Sequence, residues 1–153
     1  MVNAFTLKEK KLIVDYIESK SIKVVESIDI DKKTITYSKD LKGKTITTLL
    51  GDEEITRAYI LTRLVNELGY TIEKIELEHE YTAGRPHTNT SIIDIIVRDK
   101  NNDAFLFIEV KSPEECASID KDKTIEEQLF KVAGMERTEG HKVKYLMLYT
   151  LDI

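Results

Sequence analysis

Two apolar runs joined by a short polar turn limit the possible folds more than any other feature of this chain. Residues 91–98 read Ser-Ile-Ile-Asp-Ile-Ile-Val-Arg, residues 99–103 read Asp-Lys-Asn-Asn-Asp, and residues 104–111 read Ala-Phe-Leu-Phe-Ile-Glu-Val-Lys. β-Branched and aromatic residues dominate both runs, and an Asn/Asp-rich turn between such runs predicts a hairpin. Runs of this kind fill the middle of a sheet, yet both are interrupted by charge. Glu109 and Lys111 are two apart and therefore point to the same face of their strand. If the pairing is symmetric about the turn, Asp94 falls opposite or nearly opposite Glu109.

Buried charge is costly unless it is paired or binds a metal. Two carboxylates this close repel, which raises one pKa or recruits a cation. A hard divalent metal with oxygen ligands removes the conflict, and Lys111 beside it can orient or activate a water. The competing reading is a buried Asp/Glu/Lys network that serves only the fold, although such networks are a poor route to stability. The acid-x-lysine spacing alone carries no weight. It recurs at Glu9/Lys11, Glu18/Lys20, Asp31/Lys33 and Asp40/Lys42, on a surface helix or in polar turns where the charges are solvated.

The remaining pattern supplies the frame. Residues 7–20 predict an amphipathic helix, with Leu12, Ile13, Tyr16 and Ile17 at helical spacing. Two β-branched stretches follow, IKVVESIDI and TITYS, and residues 39–51 are read as a connection. A helix over 52–68, with Asp52 as N-cap, stops at Gly69. Strands are expected at 74–81, 92–98 and 104–111, a helix at 124–135, and a last strand in KVKYLMLYT. Residues 82–91 and 113–123 are read as loops. From residue 52 the order is α-β-β-β-α-β. The expected organisation is one domain, with residues 1–50 an extension on a core of 51–153.

On helix 52–68, Glu54 shares a stripe with Ala58, Leu61, Val65 and Leu68. This makes Glu54, rather than Glu53, the inward-pointing acid. The alternative for either is a first-turn acid complementing the helix dipole.

Charge and cysteine usage narrow the function class. The net charge is −5, with residues 1–50 at +3 and residues 51–153 at −8. That balance suits a site for metal cations rather than tight DNA binding by this chain alone. Cys116 is the single cysteine, which excludes an internal disulfide and a cysteine zinc site. The N-terminus lacks the apolar stretch of a signal peptide, and no run is long enough to span a bilayer. A cytoplasmic location without membrane contact is the expectation. No GxxxxGK[ST] or GxSxG motif occurs, so no P-loop ATP site is expected. His79, His87 and His141 have no metal-ligand spacing, and His79 is expected to pack on the sheet. Arg85 and His87 lie in the loop before the Asp94 strand, where they can touch a phosphate or face solvent.

A helix Glu, a strand Asp94 and Glu109-Val110-Lys111 on the next strand, in the order α-β-β-β-α-β, resemble the PD-(D/E)XK nuclease fold. EEITRAYILTRLVNELGY, the segment from IELEHEY to EVKSPEE, and IEEQLFKVAGME are similar to the N-terminal nuclease domain of type I restriction enzyme R subunits, over roughly residues 52–152. The resemblance implies a restriction-endonuclease-like αβββαβ core with a mixed central sheet flanked by helices. It implies Mg²⁺, with Mn²⁺ as a substitute, held by Asp94 and Glu109. It makes Lys111 catalytic, has the helix glutamate assist, and has Gln128 line the site. It also implies DNA as substrate, with a translocase motor and methylation and specificity subunits as partners. Two positions depart from the pattern: Ile93 precedes Asp94 where the motif's name has proline, and Val132 stands where related nucleases often carry a tyrosine. The alternatives are a degenerate docking module in a DNA-processing complex and a stand-alone repair or resolvase-type nuclease.

Overall fold

The computed structural model describes residues 4–43, 47–83, 89–138 and 143–151. The chain opens with helix α1 (Leu7–Ser19), which starts at a reciprocal cap between Thr6 and Glu9. Strands β1 (Val25–Asp29), β2 (Thr34–Tyr37) and β4 (Thr48–Leu49) form a small antiparallel sheet in the order β1-β2-β4. Between them, β3 (Lys42–Gly43) leaves this sheet and joins the main one. Two-residue strands carry no readable alternation, so the expected connection at 39–51 in fact contains both. Gly43 has φ +82°, and a Cβ there would lie 2.1 Å from the Leu77 carbonyl oxygen. Only glycine allows β3 this close to its neighbour.

The main sheet has five strands in the order β3-β5-β6-β7-β8, with β5 (Ile75–Ala83), β6 (Asn89–Arg98), β7 (Ala104–Val110) and β8 (Tyr145–Tyr149). β5, β6 and β7 pair antiparallel, while the outer pairs β3·β5 and β7·β8 are parallel. The sheet is therefore mixed, as expected. One core joins α1, the small sheet and α2 (Asp52–Asn66) to one face, through Ile13, Ile35, Ile55, Leu61, Ile95 and Ile108 among others. On the other face, Tyr81, Ile93, Ile96 and Phe107 meet Leu129 and Val132. These two come from a helical run formed by α4 (Lys121–Thr124), a π-helical turn (Ile125–Phe130) and α5 (Lys131–Thr138).

The start of α2 differs from expectation by one residue. Gly51 is the N-cap and makes no side-chain bond. Asp52 instead ties down the N-terminal segment: it accepts the Phe5 N–H at 2.8 Å and pairs with Lys10 at 3.0 Å. The helix ends at Asn66, so Leu68, expected on the buried stripe, is exposed. The stretch after β7, expected as a loop, contains α3 (Pro113–Ser118).

The side-chain alternation of the two central strands slips at one row. In β5, Ile75 and Leu77 enter the first core but Tyr81 enters the second; in β6, Ile95 and Val97 enter the first and Ile93 the second. Regular alternation would keep each set on one face. The slip falls at Glu78 and Asp94, which the register places opposite each other between Leu77↔Ile95 and His79↔Ile93. Glu78 has φ +53°, which turns its strand over.

A carboxylate cluster at the row where the strands switch faces

The β6–β7 ladder steps through Val97↔Leu106, Ile96↔Phe107 and Ile95↔Ile108. The next row holds Asp94 and Glu109, as symmetric pairing about the turn predicts. There the ladder yields to a side chain: Asp94 Oδ2 accepts the Val110 N–H at 2.8 Å. Glu109 is buried, and its Oε1 lies 3.3 Å from Lys111 Nζ. Its Oε2 is buried with no hydrogen-bond partner. Lys111 leaves the strand while its backbone N–H still bonds to the Tyr149 carbonyl at 2.9 Å. Asp94, Glu109 and Lys111 are thus brought together by one hairpin.

Two further acids join them. Glu53, half-buried in the first turn of α2, hydrogen-bonds the Glu115 side chain and lies in the field of Asp94 and Lys111. Glu115 comes from α3, where it closes a reciprocal cap with Ser112. Glu54 points elsewhere. Its Oε1 accepts from Tyr37 Oη at 2.6 Å and from Arg57 Nη2 at 2.7 Å. Glu54 does point inward, as its helical stripe predicts, but toward Arg57 and Tyr37, and Glu53 is the first-turn acid at the cluster. The reason is burial: Ile55, Thr56, Arg57, Ala58, Ile60, Leu61, Thr62, Leu64 and Val65 are all buried. A helix buried on nearly every side has no single inward stripe.

Gln128 sits on the π-helical turn, exposed, beside the buried Leu129. None of the hydrogen bonds and ion pairs described at the cluster reaches it. Arg85 and His87 lie outside the described residues. His79 packs on the sheet as expected, 4.4 Å from the Tyr81 ring, with its Nδ1 bonded to Glu76.

The electrostatics follow from crowding and burial. Burial, then the charge of Asp94, pushes the Glu109 carboxyl up to about 8. Burial, then the Glu115 hydrogen bond and Asp94, pushes Glu53 up to about 7. Asp94 is raised by burial, against the opposing Val110 N–H and the positive charges of Arg57 and Lys111. Glu115 is lowered, chiefly because Glu53 hydrogen-bonds to it. Burial alone would lower Lys111, but Glu109 outweighs it and the ammonium is held charged.

A protonated carboxyl at neutral pH is one answer to this crowding, and a cation is the other. The donor set is hard oxygen, and one buried oxygen, Glu109 Oε2, lacks a partner. Both fit a small divalent ion. Among the described residues no three His, Cys, Asp or Glu side chains are arranged as a ready cation cage. Mg²⁺ does not require one, since it commonly takes one or two carboxylates and fills its shell with water and phosphate.

A mixed sheet with helices on both faces and an acidic cluster at a strand irregularity defines an α/β protein with a buried ionisable site. Residues 52–146 match the family model for the type I restriction enzyme R protein N terminus. The match covers well over half of the chain, and the chain belongs to that family. A search of curated proteins found no match. Among the described residues no helix is long and apolar enough to cross a membrane.

Proposed function

We propose that this chain is the DNA-cleavage module of a type I restriction R subunit, a metal-dependent endonuclease on a PD-(D/E)XK-like core. The observation that carries the reading is the meeting of Asp94, Glu109 and Lys111 on one hairpin, with the buried Glu109 Oε2 left without a partner. A fold with no need for chemistry gains little from leaving that oxygen orphaned. Asp94 and Glu109 would hold Mg²⁺, or Mn²⁺ in its place. When bound, the ion supplies Lewis-acid polarisation of a phosphate and a more acidic water. Lys111, kept charged beside Glu109, positions the attacking water and stabilises the negative charge that develops on the phosphate oxygens. Glu53, in the same cluster and pushed up to about 7, would take a proton from that water or hold it in line.

With a net charge of −5, affinity for DNA comes from partners: a translocase motor and the methylation and specificity subunits. Residues 1–50 are read as an extension on a core of 51–153, and the apolar core shared by α1, the small sheet and α2 supports one domain. Calorimetric titration with Mn²⁺ tests the site. Wild-type protein is expected to bind, and Asp94→Ala and Glu109→Ala are expected to lose binding. Equal affinity in all three would favour a degenerate docking module instead.

A further inference from the structure

Behind the cluster, one buried guanidinium holds two acids. Arg57 is 5% exposed and follows Glu53 by one helical turn on α2. Its Nε and Nη2 donate to Glu54 Oε1 at 3.1 and 2.7 Å, and its Nη1 donates to Glu78 Oε1 at 3.0 Å. Tyr37, buried at the end of β2, donates its hydroxyl to the same Glu54 oxygen at 2.6 Å. The Tyr37 ring centre is 6.0 Å from the guanidinium carbon. Tyr37 therefore fixes the Glu54–Arg57 pair from a segment outside the family-matched residues 52–146.

The far end of this chain of contacts is strained. Glu78 adopts φ +53°, a region non-glycine residues rarely occupy. It does so opposite Asp94, in the row where both strands switch faces. Such strain persists only where surrounding groups hold it, and the Arg57 bond to Glu78 is a charged tie of that kind.

We infer that Arg57, fixed by Tyr37, is a positioning residue. It holds Glu78 in the strained conformation that sets the Asp94 carboxylate, so Tyr37 of β2 helps to complete the site. The inference rests on reading Asp94 and Glu109 as cation ligands. The hydrogen bonds of Arg57 go to Glu54 and Glu78 rather than to Asp94 or Glu109, so its part would be indirect. Electrostatics and positioning predict opposite signs for its removal. Losing a nearby positive charge, and freeing Glu54 and Glu78, would by charge alone tighten divalent-cation binding. Losing the tie on Glu78 would loosen it, because the ligand oxygens lose their placement.

The test is Mn²⁺ titration by calorimetry, with thermal melting of the same samples, on wild type, Arg57→Gln, Arg57→Lys, Tyr37→Phe and Asp94→Ala. Arg57→Gln is expected to weaken Mn²⁺ binding about tenfold or more, the usual cost of removing a group that orients a metal ligand. Arg57→Lys is expected to recover part of that loss. Tyr37→Phe removes one hydroxyl and should weaken binding in the same direction by a smaller factor. If Arg57→Gln does not fold, Tyr37→Phe and Arg57→Lys decide the same question. Unchanged or tighter binding in the folded variants, with Asp94→Ala still abolishing it, overturns the positioning role and leaves the site reading standing. Equal binding, or none, in wild type and Asp94→Ala overturns both.

Discussion

Replacing Glu109 with glutamine keeps the shape of a buried side chain and removes its charge. In the folded protein Glu109 holds its proton up to about pH 8, against an ordinary value of 4.5. Between those values the folded state binds more protons than the unfolded state, so stability falls as pH rises through the window. At about 1.4 kcal/mol for each pH unit over which the two states differ by one proton, less near each end of the window, the penalty grows by about 3–4 kcal/mol from pH 5 to pH 8. Glutamine does not titrate, so Glu109→Gln should gain on wild type by about that amount over the same range. Urea unfolding of both proteins with EDTA, at several pH values across the window, measures the difference. Saturating Mg²⁺ at the alkaline end should restore stability to wild type and not to the variant, because the ion neutralises the carboxylate the variant lacks. Parallel stability curves for the two proteins would refute the claim that Glu109 is a strained acid awaiting a cation.

Two further outcomes separate roles within the cluster. Lys111→Ala should reduce DNA cleavage by a reconstituted complex about a hundredfold or more while Mn²⁺ affinity stays equal or rises, since an ammonium beside the ligands competes with the ion; full cleavage would remove Lys111 from the chemistry. Glu53→Gln should lower cleavage with little change in melting temperature, whereas Glu54→Gln should destabilise the fold by leaving Arg57 and Tyr37 poorly satisfied, by about 1–3 kcal/mol in chemical unfolding. The reverse pattern would restore Glu54 to the site.

Much of this site is legible in the residues themselves. The hairpin over Asp94 and Glu109 follows from two apolar runs and a polar turn, and the ladder register brings the two acids to the same row. Lys111 follows by strand parity. The stripe rule places Glu54 inward but cannot say toward what: α2 has almost no exposed face, and its two first-turn acids reach different partners, Glu54 at Arg57 and Glu53 at the cluster. Glu115 is hidden inside an apparent loop, although Ser112-Pro113-Glu114-Glu115 spells a capping box with proline at the first helical position. That signal is readable and points to α3. The face switch at Glu78 and Asp94 has no local signal. Glu78 has φ +53° and pairs with Arg57, and no propensity of Glu-His-Glu suggests either. Likewise the two-residue strands β3 and β4 exist only through their partners.

On the proposed function, Asp94 and Glu109 together hold the ion that hydrolyses DNA delivered by partner subunits. The most direct measurement is plasmid cleavage in Mg²⁺ by a reconstituted R-subunit complex carrying this chain as wild type, Asp94→Ala or Glu109→Ala, with ATP-driven translocation followed in the same samples. Both variants are expected to translocate normally and leave the plasmid uncut. Cleavage by either variant at the wild-type rate would contradict the proposed function.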